Sequence, residues 1–310
     1  MEHDLIALGE TMVALAAPPG ESLRQADRWL VDHAGAESNT CVGLARLGLR
    51  VSWVSRLGRD TAGDRILDAL AAEGVDTTWV HRDPQRPTGV MLKDPDAGVR
   101  YYRSGSAASV MGPEVLDGVP AKQARAVLVT GVTALIGAAP HAAGIALLDT
   151  ARGLRIVDPN LRQGLWGSDR RAELVRAFLD RSDLLLAGAG ELEEILGGEG
   201  AAAKARGLEA LARCAAALPR PDPDEGRARE VVVRGAAAIG VLADGVWREL
   251  DLRRGPAVDP IGAGDAFNAG YIAARLGGGT VDAALRSGAR CGAAVTTSRS
   301  DTGGFPRTLE

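Results

Sequence analysis

The residues whose types and spacing best suit chemistry form one run, Asp259-Pro260-Ile261-Gly262-Ala263-Gly264-Asp265-Ala266-Phe267-Asn268-Ala269-Gly270, which opens a helical pattern reaching to about Leu276. Glycines at the start of a helix let the backbone turn tightly and bring unbonded N–H groups up to an anion. The positive end of the helix dipole favours that anion. Asp265 stands beside the same place, an acid where a bound phosphate would repel one. It makes chemical sense if its carboxylate takes a proton from an attacking hydroxyl during phosphoryl transfer. The residues alone leave a second reading open, in which Gly262 and Gly264 serve close helix–sheet packing and Asp265 caps the helix. A dinucleotide fingerprint fits less well, because Phe267 occupies the place of its third Gly or Ala. No GxxxxGK[ST] occurs.

Two other places carry suitable side chains. Asp158-Pro159-Asn160-Leu161-Arg162 follows a strand end, where ligands collect in open α/β sheets. Arg162 there reaches a phosphate or a substrate carboxylate, unless it is a surface arginine paired with a nearby acid. In Tyr101-Tyr102-Arg103-Ser104-Gly105-Ser106, strand alternation puts Tyr101 and Arg103 on one face and Tyr102 on the other. A phenol donor beside a planar cation suits an acidic sugar. The alternative is a strand whose ring packs and whose arginine is solvated.

The elements that must position these groups are short apolar runs alternating with amphipathic stretches. Leu5 to Leu8, Val51 to Ser55, Ala126 to Thr130, Leu154 to Val157, Leu184 to Ala187 and Glu230 to Val233 read as buried parallel strands. Asp60-Thr61 caps a helix with Ile66, Leu67, Leu70 and Ala71 on one face, stopped by Gly74. Ser38 to Leu47 forms another, ending at Gly48. Ala201 to Ala217 has helical composition. The alternation predicts a doubly wound α/β sheet. Two stretches break it. Glu10 to Ala34 lacks a clear helix, and Pro87 to Arg103 reads as strands Thr88 to Leu92 and Val99 to Arg103 around an Asp94-Pro95-Asp96 turn. Together they build a small separate sheet, a lid over the ligand site. Leu218 to Arg229, rich in Pro, Asp and Arg, reads as a solvated loop.

Composition bounds the rest. The 310 residues are 46% hydrophobic and 25% charged, the balance of a globular protein. Apolar runs such as Ala126 to Val132 fall far short of a membrane span. Glu2 and Asp4 precede the first strand, so no signal peptide is expected. Cys41, Cys214 and Cys291 lie far apart with no CxxC, against a disulfide framework or zinc site and for a reducing compartment. His3, His33, His81 and His141 never pair at ligand spacing, and a net charge of −4 gives no basic footprint for nucleic acid. The expectation is a cytoplasmic protein with neither membrane nor nucleic-acid partners.

Ala34-Gly35-Ala36-Glu37-Ser38-Asn39, a small-residue helix to Leu47-Gly48, and then Gly58, Asp60 and Gly63 resemble the first signature of the ribokinase-like (PfkB) carbohydrate kinases. The Asp259 to Gly270 run resembles their second. The two stand more than 200 residues apart in the family's order, so the resemblance covers nearly the whole chain. It implies one ribokinase-like kinase domain over residues 1–310, a doubly wound, mostly parallel α/β sheet flanked by helices, with lid segments at about 11–34 and 87–104. It further implies ATP-dependent phosphorylation of a sugar hydroxyl, with Mg²⁺ bridging the phosphates. Asp265 matches the general base. Gly262 and the N–H groups of Ala263, Gly264 and Asp265 match the anion hole that holds the γ-phosphate of ATP, while Gly35 and Asn39 match positions that touch the sugar. Gly235 falls in the adenine-side turn, commonly KxGxxG, here Val233-Arg234-Gly235-Ala236-Ala237-Ala238, where ending a strand is its other role. The family's NxxE reads Gly188-Ala189-Gly190-Glu191, keeping the Glu without the Asn, which implies an indirect Mg²⁺ role for Glu191. The lid implies a homodimer or higher homo-oligomer.

The Tyr101-to-Ala108 stretch resembles the 2-keto-3-deoxygluconate (KDG) kinase branch, in which the equivalent Tyr and Arg contact the keto acid. Asp301, within Arg299-Ser300-Asp301-Thr302-Gly303-Gly304, matches a substrate-contacting acid of that branch; an exposed turn residue is its plainer reading. Gly9-Glu10 stands where ribokinase-type members carry an Asn-Asp pair whose Asp binds sugar hydroxyls, which disfavours ribose. The expected activity is phosphorylation of KDG at its primary hydroxyl, giving 2-keto-3-deoxy-6-phosphogluconate. Its rivals are a fructokinase or other neutral-sugar kinase and a non-catalytic sugar- or nucleotide-binding regulator.

Overall fold

Continuous apolar runs such as Leu5-Ile6-Ala7-Leu8 need cover on both sides, because successive strand side chains point to opposite faces. The computed structural model, which describes residues 3–18, 20–94, 98–161, 165, 168–197, 207–219, 229–252, 261–296 and 300–308, supplies that cover with two helical layers. The strands are β1 (Leu5–Leu8), β2 (Met12–Ala16), β3 (Leu30–Ala34), β4 (Val51–Gly58), β5 (Val80–Asp83), β6 (Val90–Asp94), β7 (Gly98–Tyr102), β8 (Ala126–Thr130), β9 (Leu154–Asp158), β10 (Leu184–Gly188), β11 (Glu230–Arg234), β12 (Ala238–Ala243) and β13 (Val246–Asp251). The helices are α1 (Ala36–Arg46), α2 (Thr61–Ala72), α3 (Gly131–Ile136), α4 (Ala138–Thr150), α5 (Arg171–Leu179), α6 (Ala189–Leu196), α7 (Leu208–Ala216), α8 (Ala263–Leu276) and α9 (Val281–Val295).

The large sheet runs β13-β12-β11-β10-β9-β8-β1-β4-β5. From β11 to β5 every neighbouring pair is parallel, while β12 and β13 add an antiparallel edge. The expected doubly wound sheet is therefore present, and all six expected strands lie in it. Leu5, Ala7, Leu128, Leu184 and Leu186 pack on the side of α1, α2, α8 and α9. Their neighbours Ile6, Leu8, Val127, Val129 and Leu185 face α3 to α7. Each such side chain contributes about 1.5–3 kcal/mol when fully buried, so slipping one strand by one residue would exchange two whole core faces.

Local signals fix the ends of two helices near the site. The Asp60 carboxylate accepts from Gly63 N at 2.7 Å at the start of α2, and Gly74 follows its end at φ +81°. Helix α1 ends before Gly48, at φ +86°. A Cβ on Gly43 would lie 2.6 Å from Ala269 Cβ, so this glycine lets α1 approach α8 closely.

A second sheet has the order β3-β2-β6-β7, with β2 and β6 parallel and the outer pairs antiparallel. It arises from the two segments that break the alternation. The strands are shifted from expectation, to Val90–Asp94 and Gly98–Tyr102, so Arg103 lies just past β7. Three strands of the large sheet lie outside the expected six: β12, and the two edge strands β5 and β13. The solvated loop at Leu218 to Arg229 is corrected at its ends: Leu218 and Arg229 are buried, and Arg229 donates to the carbonyls of Ser182, Ala215, Leu218 and Asp180. Residues 220–228 lie outside the described residues, as do residues 201–206 of the alanine-rich stretch. Among the described residues no helix is long and apolar enough to cross a membrane.

Candidate active site

The carboxyl ends of the parallel strands open into a cavity of about 410 Å³, the place where an α/β sheet of this kind binds ligands. One face of the small sheet covers it. The cross-strand pairs Met12–Ala34, Met91–Tyr101 and Lys93–Val99 all contribute to the lining, as the two-residue period of the strands requires.

On the opposite wall stands the start of α8. Its N-cap is Gly262, at φ +82°, whose Cβ would lie 2.6 Å from the Asp301 carbonyl oxygen. A glycine is needed here for backbone conformation and close approach. Gly264 differs. A Cβ there would meet only the Arg234 guanidinium, at 3.9–4.0 Å, so packing does not demand a glycine, and its missing side chain leaves space in the cavity. The N-cap Gly262 has no side chain with which to cap α8, and Asp265 sits at the third helical position. Its Oδ2 accepts from Asn39 Nδ2 at 2.8 Å. The Ala263, Gly264 and Asp265 N–H groups occupy the first turn, where a helix lacks internal acceptors; Ala263 itself contributes backbone only.

Asn39 is buried on α1, and among the described residues its buried Oδ1 has no hydrogen-bond partner. Gly35 also lines the cavity; a Cβ on it would lie 2.3 Å from the Glu10 carbonyl oxygen, so backbone proximity alone requires glycine there. Between them Glu37 is wholly buried and accepts from Thr130 N, Thr130 Oγ1 and Thr133 Oγ1 at 3.0, 2.7 and 2.7 Å. Burial pushes its carboxyl above the usual range against those hydrogen bonds. These contacts tie the start of α1 to β8 and α3, and so fix Asn39.

Tyr101 and Arg103 share the cavity face as alternation predicts, with the Arg103 guanidinium carbon 5.7 Å from the Tyr101 ring centroid, while Tyr102 is exposed. Arg103 is not solvated. It is buried in an ion pair with Glu10, whose Oε1 accepts from Ser106 Oγ at 2.9 Å. Asp301 is likewise buried rather than an exposed turn residue, and pairs with Lys93 of β6. Its segment is anchored by Arg46, which forks onto Glu73 at 2.7 and 2.8 Å and donates to the Thr302 carbonyl at 2.6 Å.

A further polar group at the carboxyl edge escaped the sequence reading. Asp158, at the end of β9, accepts at Oδ2 from Arg234 Nη2 at 3.0 Å and from Asn268 Nδ2 at 2.7 Å, and at Oδ1 from Asn160 N at 3.0 Å. Arg234 also donates to Asn268 Oδ1. Burial works against the Arg234 charge, but Asp158 and Glu191 outweigh it and hold the guanidinium protonated. The available signal was position: Asp158 and Arg234 each end a parallel strand, and Asn160 adopts φ +35° just beyond one. Glu191 lines the same cavity and accepts from Gly188 N at 2.7 Å and Leu161 N at 3.1 Å. Burial and then the charge of Asp158 raise its carboxyl above the usual range.

Among the described residues no group of three or more His, Cys, Asp or Glu side chains could hold a metal ion. The donor set of Asp158 and Glu191 fits a cation delivered on a polyphosphate and reached through water, not a dedicated protein cage. Gly235 is not brought to the cavity. It begins the turn into β12, where its N–H donates to the Ala238 carbonyl at 2.9 Å and a Cβ would press on Leu208. Arg162 lies outside the described residues.

A glycine-opened helix start, a neighbouring carboxylate and a buried cation, at the carboxyl edge of a doubly wound sheet and under a second sheet, define a kinase built on an open α/β fold. Comparison with known proteins agrees. Residues 2–308 match the model of the pfkB family carbohydrate kinases. The chain is 30% identical to the 2-dehydro-3-deoxygluconokinase of Bacillus subtilis (strain 168), over 99% of this chain and 93% of that one. It is also 30% identical to a fructokinase of Klebsiella pneumoniae, over 96% and 95%. A solved E. coli structure, a putative ribokinase II in complex with ATP and Mg²⁺, superposes with a TM-score of 0.85 at 21% identity, covering 99% of this chain and 96% of that one. The chain belongs to the pfkB family of carbohydrate kinases, and it is a sugar kinase.

Proposed function

We propose that this sugar kinase transfers the γ-phosphoryl of ATP to the primary hydroxyl of an acidic keto sugar, converting KDG to 2-keto-3-deoxy-6-phosphogluconate. The observation that carries the reading is Asp265, held by Asn39 beside the open first turn of α8 and across the cavity from Tyr101 and Arg103. Asp265 accepts the hydroxyl proton while the amides of Ala263, Gly264 and Asp265 hold the phosphoryl as charge moves toward the leaving group. Glu10 and Tyr101 fix the Arg103 guanidinium, whose remaining N–H groups take the substrate carboxylate. Gly35, Asn39 and Asp301 contact the sugar, and Arg162 completes the carboxylate or phosphate contacts. Asp158 and Glu191 would hold the water shell of a Mg²⁺ ion accompanying ATP, which would supply charge neutralisation at the phosphates. Gly235 lies on the adenine side of this arrangement.

In this reading the small sheet, at about residues 11–34 and 87–104, is a lid on a single kinase domain, and its closure excludes water. Its exposed Trp29, Leu30, Val31 and Tyr102 are the surface through which a homo-oligomer forms. The supply of ATP places the reaction in the cytoplasm.

Fructose is the second reading, favoured by the neutralisation of Arg103 by Glu10 and by the likeness to a fructokinase. ADP release with KDG, its galacto epimer and fructose as acceptors tests the proposal. It requires a clear preference for a keto acid; a preference for fructose overturns the acid-sugar assignment, and ADP release with none of them overturns the choice of substrate class.

A further inference from the structure

Arg234 has more structure around it than neutralising one carboxylate requires. Its side chain is 17% exposed, against 3% for Asp158, and it lines the cavity. Two neighbours fix the plane of the guanidinium: Asp158 at Nη2 and Asn268 at Nη1, with Asn268 Nδ2 closing the triangle onto the same Asp158 oxygen. The Phe267 ring centroid lies 5.9 Å from the guanidinium carbon. An arginine fork has five N–H donors, and among the described residues only Asp158 and Asn268 accept from this one. The group stands opposite the first turn of α8, with Nη2 and Cζ 4.0 and 3.9 Å from the point where a Gly264 side chain would begin. Asp265, the next residue, is close enough for its charge to act on Arg234.

We propose that Arg234 is a catalytic residue, a cation built into the chain that grips the phosphoryl group in flight between the α8 amides and Asp265. The proposal rests on the sugar-kinase reading of the cavity given above. During transfer the bond from the acceptor oxygen to the γ-phosphorus forms, and the bond from that phosphorus to the β–γ bridging oxygen breaks. The electron pair leaves on ADP, and the acceptor proton passes to Asp265. Arg234 gains and loses no proton. Its planar fork meets oxygens that carry more charge in the transition state than in ATP, where an arginine supplied to a phosphoryl-transfer site raises turnover by about 10³–10⁵-fold. Asp158 and Asn268 are positioning residues that hold the fork against recoil, and a lysine at 234 would keep the charge without the paired donors.

The test compares wild type with Arg234→Lys by turnover with KDG and by calorimetric titration of ATP and ADP without acceptor. Turnover of Arg234→Lys should fall by about 100-fold or more while the KM for sugar moves by no more than about threefold. ATP affinity should weaken by about tenfold more than ADP affinity, because the lost contact is to the terminal phosphoryl. Arg234→Ala should regain part of its turnover from added guanidinium ion, which a purely structural arginine would not show. Removing the cation leaves Asp158 buried and unpaired, so Arg234→Ala is made also with Asp158→Asn to keep the site neutral. Lysine-variant turnover within threefold of wild type, or equal weakening of ATP and ADP, overturns the proposal. Should wild type release no ADP with any sugar acid, the acid-sugar reading falls, and the ATP-against-ADP titration still decides Arg234.

Discussion

Replacing Gly264 with alanine separates a packing glycine from one that keeps space for a ligand. A Cβ at this position meets nothing nearer than 3.9 Å, an ordinary van der Waals contact, and that neighbour is the tip of Arg234. Gly264 has an ordinary negative φ and sits in the first turn of a 14-residue helix, so alanine also gains helix propensity. The gain for an interior helix position is about 0.5–1 kcal/mol, and the lower end applies in a first turn. The variant should therefore unfold at the wild-type temperature or about 1–2 °C above it. Turnover should nonetheless fall by about 100-fold, because the methyl group stands where the phosphoryl must lie against the first-turn amides, and displacement by an ångström is enough for such a loss. Gly262→Ala is the contrast. It forces a φ of +82° on a residue with a side chain and drives that side chain to 2.6 Å from the Asp301 carbonyl, so it should lose stability first. Thermal unfolding and an ADP-coupled assay on the two variants decide the matter. Gly264→Ala with full turnover, or with stability lowered by more than about 1 kcal/mol, refutes the reasoning.

Arg103→Ala should raise the KM for an acidic sugar but also destabilise the fold by about 3–5 kcal/mol, since it strands the buried Glu10 carboxylate. Adding Glu10→Gln should restore most of that stability in a denaturant titration and leave the KM high; a normal KM in the double variant would remove Arg103 from substrate binding. Asp4 tests the acid limit of stability. Burial raises its pKa, but hydrogen bonds from Arg50 and Arg125 outweigh burial and bring it from 3.8 down to about 2. A depressed carboxyl stabilises the folded state above its unfolded pKa and loses that contribution as pH falls through the folded one. Asp4→Asn should therefore be less stable than wild type by about 1–2 kcal/mol at pH 7, with the difference closing between about pH 4 and 2. A difference that persists at pH 2 would contradict the ion-pair origin.

The parts of the fold legible in the sequence were those written by local physics. Leu5 to Leu8 and Leu184 to Leu186 are apolar on consecutive positions and so declare strands covered on both faces. Asp60 and Gly74 bracket α2 by capping and by left-handed backbone. The edge strand β13 was not legible, because Val246 to Asp251 is half-exposed and polar and gains its pairing from β12 alone. At the site, Asp265, Tyr101 and Arg103 were legible by type and spacing, Asn39 and Asp301 only through the family resemblance, and all five line one cavity. What spacing could not supply was partnership across the chain. That Glu10 neutralises Arg103, 93 positions away, or that Asp158, Arg234 and Asn268 close a triangle from three elements, depends on which strands are neighbours. Arg234 looked like a departure from a turn motif, and only the register of β10 against β11, which sets it beside Gly188 at the carboxyl edge, shows where it stands.

The proposed phosphoryl transfer depends above all on Asp265 taking the proton of an acceptor hydroxyl at the head of α8. Asp265→Asn preserves size and can still accept from Asn39 while removing the basic oxygen. Turnover with the preferred acceptor should fall by about 10²–10⁴-fold, with ATP affinity within about twofold of wild type. A variant that turns over within tenfold of wild type, or that loses ATP along with activity, would contradict it.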